Sequence, residues 1–287
     1  MIFRNIAVAT LGAVLAAGAA EAEPILRIEH AAARVVVIPE ARGDVVYTIQ
    51  PGRAGLPPLQ IRRDGGATVL DGGLAAGFGP FGLPMGLSCH GAGDHVRVRI
   101  PGHGEVALQD LPVVTARVPL SAQVAVGEAV FGEIGPSQSL DFSNAGCGDW
   151  RIADVRGAAA FALSGSGDIR ARNVGAATVR ISGSSDVYFG GVQGALEARV
   201  SGSGDVHAAW INGPLSARIS GSGDVTVDGG VSPSVVASIA GSGDVRFRGT
   251  AGALQASIAG SGDVDVARVT GEVTKRIAGS GDVNIGR

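Results

Sequence analysis

Seven aspartates recur along the chain with the regularity of a ruler. Asp168, Asp186, Asp205, Asp224, Asp244, Asp263 and Asp282 are separated by 18, 19, 19, 20, 19 and 19 residues. Each closes a turn of the type Ser/Ala-Gly-Ser-Gly-Asp, and an apolar residue follows. Carboxylates stacked at one per period repel one another unless they accept hydrogen bonds or share cations. One reading is structural: each side chain accepts backbone N–H groups of its own turn, as aspartate commonly does. The other is a calcium ladder, by analogy with Gly-Gly-x-Gly-x-Asp rolls. Here the aspartate directly follows the second glycine, so the register is one residue short. The structural reading is preferred, and no metal is assigned.

Two further columns carry charge. Arg180, Arg199 and Arg218 recur just before the apolar residue that precedes each turn. They form a short outward column that either lies in solvent, offsets the aspartates or meets an anionic glycan. Arg170, Tyr188, His207, Thr226, Arg246, Asp265 and Asn284 form a second column, too mixed for a repeated ligand. His30, His90, His95, His103 and His207 show no metal-ligand spacing with acidic partners; His90, His95 and His103 lie near one another around Asp94, which leaves a metal site there as the minor reading. No Ser-His-Asp or Cys-His arrangement stands out, because the serines belong to repeated turns. No catalytic or cofactor-binding residue is assigned.

A repeat this strict dictates the architecture that carries it. Within each period apolar residues alternate, as in Leu254, Ala256 and Ile258, then Val264 and Val266. That is the period of strands with one buried face. Two short strands joined by a Gly-Ser-Gly-Asp turn make one coil of a parallel β-solenoid. An antiparallel meander would alternate too, but would not need the same residue at the same point of every period. The first turn glycine (Gly165, Gly183, Gly202, Gly221, Gly241, Gly260, Gly279) has no exception, so a side chain is excluded there by positive φ or by contact with the coil below. The second glycine is replaced once, by Ser185, consistent with a slightly different turn in the 18-residue coil. Lys275 falls in the inward slot held by Ala198, Ala217, Ala237 and Ala256. It either caps the stack or marks loss of the pattern at a terminus.

Residues 144–287 form the regular solenoid. Residues 23–143 are its irregular β-rich start, with strand-like runs at Leu26–Ile28, Val35–Ile38, Val45–Ile49 and Val96–Ile100, and further candidates at Val113–Leu120 and Val124–Ile134. Residues 51–58 and 72–86 read as loops. A fainter copy of the turn appears at Gly91-Ala92-Gly93-Asp94, and Gly146-Cys147-Gly148-Asp149 fits the regular frame. Residues 1–22 read as a secretory signal: Arg4, the apolar run Ile6–Ala19, then Ala20-Glu21-Ala22. Export to an oxidising compartment favours a Cys89–Cys147 disulfide over two buried thiols. The 47 glycines fit many tight turns, and a formal charge of −3 argues against a nucleic-acid partner.

The signal segment, the irregular start, the Val-Arg-Val-Arg-Ile-Pro run at Val96–Pro101 and the tandem Ser-Gly-Ser-Gly-Asp-Val turns together resemble the GIN-domain family, described as heads of autotransporter adhesins. The resemblance implies a right-handed parallel β-helix in an exported protein, periplasmic or extracellular, with no defined catalytic residues. The expected function is a non-catalytic envelope solenoid that binds or scaffolds an envelope glycan or envelope protein. The alternatives are a polysaccharide-active β-helix enzyme and a structural protein that self-associates end to end.

Overall fold

A computed structural model describes residues 25–74, 77–78, 84–91 and 95–286. The signal segment and the Ala92–Asp94 part of the faint turn copy lie outside them. Among the described residues there is no α-helix, and no helix is long and apolar enough to cross a membrane.

From Ser121 onward the chain winds into about nine turns, roughly 19 residues apart, in which the strands of each inner coil pair in parallel with the coils before and after. The stack therefore reaches back beyond the start of the regular repeat at 144. Each coil has three faces rather than the two strands expected. The first is a five-residue strand such as Leu196–Val200. After the Gly-Ser-Gly-Asp corner comes a three-residue strand such as Val206–Ala208. The third is a single bridge running through Ser137, Val155, Val174, Val192, Ile211 and Gly230. Alternation places Leu196, Ala198 and Val200 inside and Glu197 and Arg199 outside, as the period-2 geometry of a strand requires. The core is one continuous column, filled by aromatic pairs in the lower coils (Phe142 with Trp150, Phe161 with Phe189) and by stacked alanine, valine and isoleucine above.

The turn glycines are explained by packing. A Cβ on any first glycine from Gly165 to Gly279 would lie 1.9–2.1 Å from the carbonyl oxygen of the glycine one coil below. Contact with that coil excludes the side chain at all seven positions, and positive φ occurs only at Gly260 and Gly279. Ser185 is buried without positive φ, so its coil bears no backbone strain there.

The irregular start has an order that the repeat does not announce. Strands β1 (Ile25–Glu29) and β2 (Ala32–Glu40) pair in parallel with Ser121–Val126 and Ala129–Ile134, forming a layer directly beneath the nine turns. The chain then reverses through β3 (Val46–Gln50) and β4 (Gln60–Asp64) before β5 (Ala67–Asp71), which pairs with β1 on its other side. Val113–Pro119 adds to β2, and β3 covers it in antiparallel register. The chain thus steps over a layer that its own N-terminal strands already fill. Between β5 and Val113 an excursion forms a small antiparallel sheet of Ser88–His90, Arg97–Ile100 and Gly104–Ala107. Its apolar face, Val98 and Ile100, packs on Ala129 and Phe131. The Cys89–Cys147 disulfide, with Cα atoms 5.8 Å apart, fastens it to the first regular turn.

Candidate binding surface

The aspartate ladder is a hydrogen-bonding device. In every coil the Oδ1 of the aspartate accepts the backbone N–H of the aspartate one coil above, from Asp149–Asp168 to Asp263–Asp282, at 2.7–3.2 Å. The bond runs between coils, not within the turn as expected. The carbonyl of each upper aspartate accepts in return from the residue after the lower one, as Val206 N–H does to Asp224. The side chain thus supplies the acceptor that the corner backbone cannot. Burial pushes the Asp168 and Asp205 carboxyls above the usual range; the accepted N–H opposes this shift, and the aspartates above and below add to it. Calcium requires six to eight converging oxygens. The ladder presents one carboxylate per coil with Oδ1 already engaged, so the calcium reading finds no support in its geometry.

The mixed column supplies the charges that offset the ladder. Arg246 pairs with Asp224 at 3.0 Å and also with Asp244, and Arg170 lies 3.6 Å from Asp168 and 5.1 Å from the Tyr188 ring centre. His207 meets Asp228 at 2.7 Å. The Arg180–Arg199–Arg218 column, by contrast, touches no ladder aspartate. It lies on the first face in strict register. Glu197 bridges Arg199 and Arg218, while among the described residues no carboxylate lies within ion-pair distance of Arg180.

Around this column runs a trough of about 640 Å³. The same outward column is small at its two ends, with Ser143 and Ala162 below the arginines and Ser238 above. One rim is the row of turn serines Ser164, Ser182, Ser201 and Ser220. Ser182 and Ser201 donate to the carbonyls of Leu163 and Ile181 in the coil beneath, leaving their oxygens free to accept. Among the described residues no carboxylate lines the trough. A second cleft of about 770 Å³, under the excursion, is lined by Arg34, Glu133, Asp149, Arg151, Asp168 and Arg170. Its two aspartates are ladder members already bonded to the coil above.

The histidines do not gather as a group. His90 pairs with Glu105 at 3.3 Å, and the Nδ1 of His103 lies 3.4 Å from the Pro101 carbonyl. His30, far from them in sequence, lies beside Asp71 and Glu29. That overturns the reading that no histidine has acidic partners at ligand spacing. The approach spans 41 residues, and no local motif signals it.

The family model described as "Putative auto-transporter adhesin, head GIN domain" matches residues 127–214 and 210–286. No curated protein and no solved structure matches the chain.

Proposed function

The chain belongs to the GIN-domain family, and from that premise we propose that it is an exported, non-catalytic, adhesin-like solenoid whose arginine trough binds an extended acidic glycan of the cell envelope. The observation that carries this reading is the arginine column, which has a single carboxylate partner and small side chains above and below it along the axis. Three guanidinium groups on consecutive coils face outward with one carboxylate between them. Coils about 4.8 Å apart repeat this charge at the spacing of the strands, so a linear polymer laid along the axis meets the same group at each step. The serine rim offers hydroxyl oxygens to sugar hydroxyls along the same line. Glycosidic cleavage calls for a pair of carboxyl groups flanking the bond, and the trough lining includes none.

The test is binding of the mature protein to immobilised acidic and neutral envelope polysaccharides. The expected result is retention on acidic polymers that weakens as salt is raised, and at least a tenfold loss in the triple variant R180A/R199A/R218A. Equal binding of neutral polymers, or an unaffected triple variant, would overturn the assignment of this surface.

A further inference from the structure

The geometry points to a zinc-type metal site built from Glu29, His30 and Asp71 at the foot of the solenoid. One donor atom from each of these residues lies within 4.8 Å of the other two. The Nδ1 of His30 stands 3.3 Å from Oδ1 of Asp71. Two ligands about 2.0–2.1 Å from one tetrahedral ion lie at about that separation. Glu29 and Asp71 are direct register partners on the adjacent parallel strands β1 and β5. The backbone therefore fixes the two carboxylates side by side, and the imidazole follows from the next residue. An imidazole with two carboxylates favours zinc over calcium or magnesium, which prefer oxygen alone.

The position of His30 is the second, independent reason. The corner column of the solenoid is glycine in every coil from Gly146 to Gly279, because each residue there packs on the carbonyl of the one beneath. Gly72 meets the same column from the other side, its Cβ direction pointing at the His30 carbonyl, 2.5 Å away. Between Gly72 and Gly146 the column is interrupted by His30 and Glu128. These are the two non-glycine residues with positive φ among the described residues, at 47° and 55°. Left-handed backbone is unfavourable for a residue with a side chain. Glycine would fit both positions without that cost. The side chains that replace it have an imidazole and a carboxylate, and Glu128 Oε2 accepts the His30 N–H at 2.7 Å, fixing the turn that aims the ring at Asp71.

The remaining contacts leave room for an ion. Asp71 Oδ1 also accepts the Gly73 N–H at 2.9 Å, and a carboxylate has further lone pairs to offer. Arg62, whose side chain is half-exposed, pairs with one oxygen of Glu29, so an ion at this site would compete with it for that carboxylate. Bound there, one ion would tie the β5 layer to the β1 layer.

The experiment is competition for zinc between the mature protein and a chromogenic chelator at neutral pH, together with thermal melts with and without zinc. One zinc per chain is expected, undisturbed by millimolar calcium or magnesium, with a rise in Tm. His30→Gly relieves the left-handed backbone, so it should fold at least as well as the parent and bind zinc at least tenfold more weakly, with no zinc-dependent rise in Tm. Asp71→Asn keeps an acceptor for Gly73 and should lose zinc to a similar degree. Parent-like zinc binding in both variants, or no stoichiometric binding by the parent, would overturn the site.

Discussion

The two ends of the solenoid face the same difficulty and meet it differently. Every inner coil is covered by the coils on either side, whereas an end coil presents open backbone groups and half of its core. At the N-terminal end the chain turns back, and β3 and β4 lie antiparallel over Val113–Pro119 and β5. The outermost strand, β4, carries Gln60, Arg62, Arg63 and Asp64 and is exposed throughout. At the C-terminal end no described strand reverses. Val273–Gly279 and Val283–Ile285 continue the parallel register, and Val273, Ile277 and Ile285 stay 38–46% exposed. The one change is Lys275, in register with the alanine column, whose Nζ donates to the Val283 carbonyl at 2.7 Å. The lysine spans the open core from one face to the other. One end is closed by topology and the other by a single charged side chain. The capping reading of Lys275 therefore has a contact behind it.

The largest effect should come from a side chain forced between two coils. Val in place of Gly221 would put its Cβ 2.0 Å from the Gly202 carbonyl, with a further coil above it. Gly221→Val should unfold or aggregate the protein, at a cost above about 4 kcal/mol. Gly279→Val meets the same 2.0 Å contact in the last coil. There only that coil need detach, so chemical denaturation should show a clearly smaller loss. Equal losses would mean that the terminal coil is as firmly held as the middle of the stack.

Next in size is the disulfide, which belongs to the N-terminal closure. It joins residues 58 apart, and a cross-link over that span is worth about 4 kcal/mol. Replacing Cys89 and Cys147 by serine should lower the melting temperature and speed proteolysis within residues 84–107 before the regular coils are cut. Alkylation of the unreduced parent, followed by mass measurement, should label neither thiol.

The asymmetry of the ends also predicts where self-association arises. Lys275→Ala restores the alanine column and removes the charge from an apolar end, so sedimentation velocity should show association that grows with concentration. Neutralising Arg62 and Arg63 on β4 should produce less, because the reversed strand presents no matching parallel register. Association of the β4 variant alone would invert the roles assigned to the two ends.

The regular half was legible because its information is periodic. The spacing of Asp168 to Asp282 and the alternation of Leu254, Ala256 and Ile258 both report local geometry, and stacking only repeats it. The pairing of Cys89 with Cys147 was also foreseeable from two cysteines in a chain whose first residues read as a secretory signal. The foot of the solenoid was not. Nothing near Ile25 announces that β1 and β2 will fill a layer which the chain later steps over, and the approach of His30 to Asp71 depends on that insertion. The third face escaped notice because one or two bridging residues per coil are too few to show a period. The ladder bond was missed for another reason: a side chain that bonds to the next coil reads, in sequence, like one that bonds within its own turn.

The smallest effect separates inner from terminal aspartates. Asp205 Oδ1 accepts the Asp224 N–H at 2.7 Å, while Asp282 sits in the last coil, where no described residue donates to its carboxylate. Asp205→Ala leaves an N–H without its acceptor and should cost about 1 kcal/mol, the low end for an unsatisfied group because the ladder is partly solvated. Asp282→Ala should cost almost nothing. Asp205→Asn keeps an oxygen in place and removes a charge, so it should be neutral or slightly stabilising. The pH dependence sharpens this expectation. An aspartate whose folded pKa is raised stabilises the native state fully only below its unfolded value of about 3.9, and that contribution is lost as pH rises through the folded value. Asp168 and Asp205 are of this kind. Asp71 and Asp154 are lowered, each first by a backbone N–H, and their contributions are lost only as pH falls through values below the usual one. Stability should therefore rise as pH falls from 7 towards about 4 and decline below that, and the double variant D168N/D205N should flatten the rise. A double variant whose melting curve keeps the parent's slope between pH 7 and 4 would show that the stacked charges are already relieved by Arg170 and Arg246, and that the ladder is electrostatically as quiet in its middle as at its end.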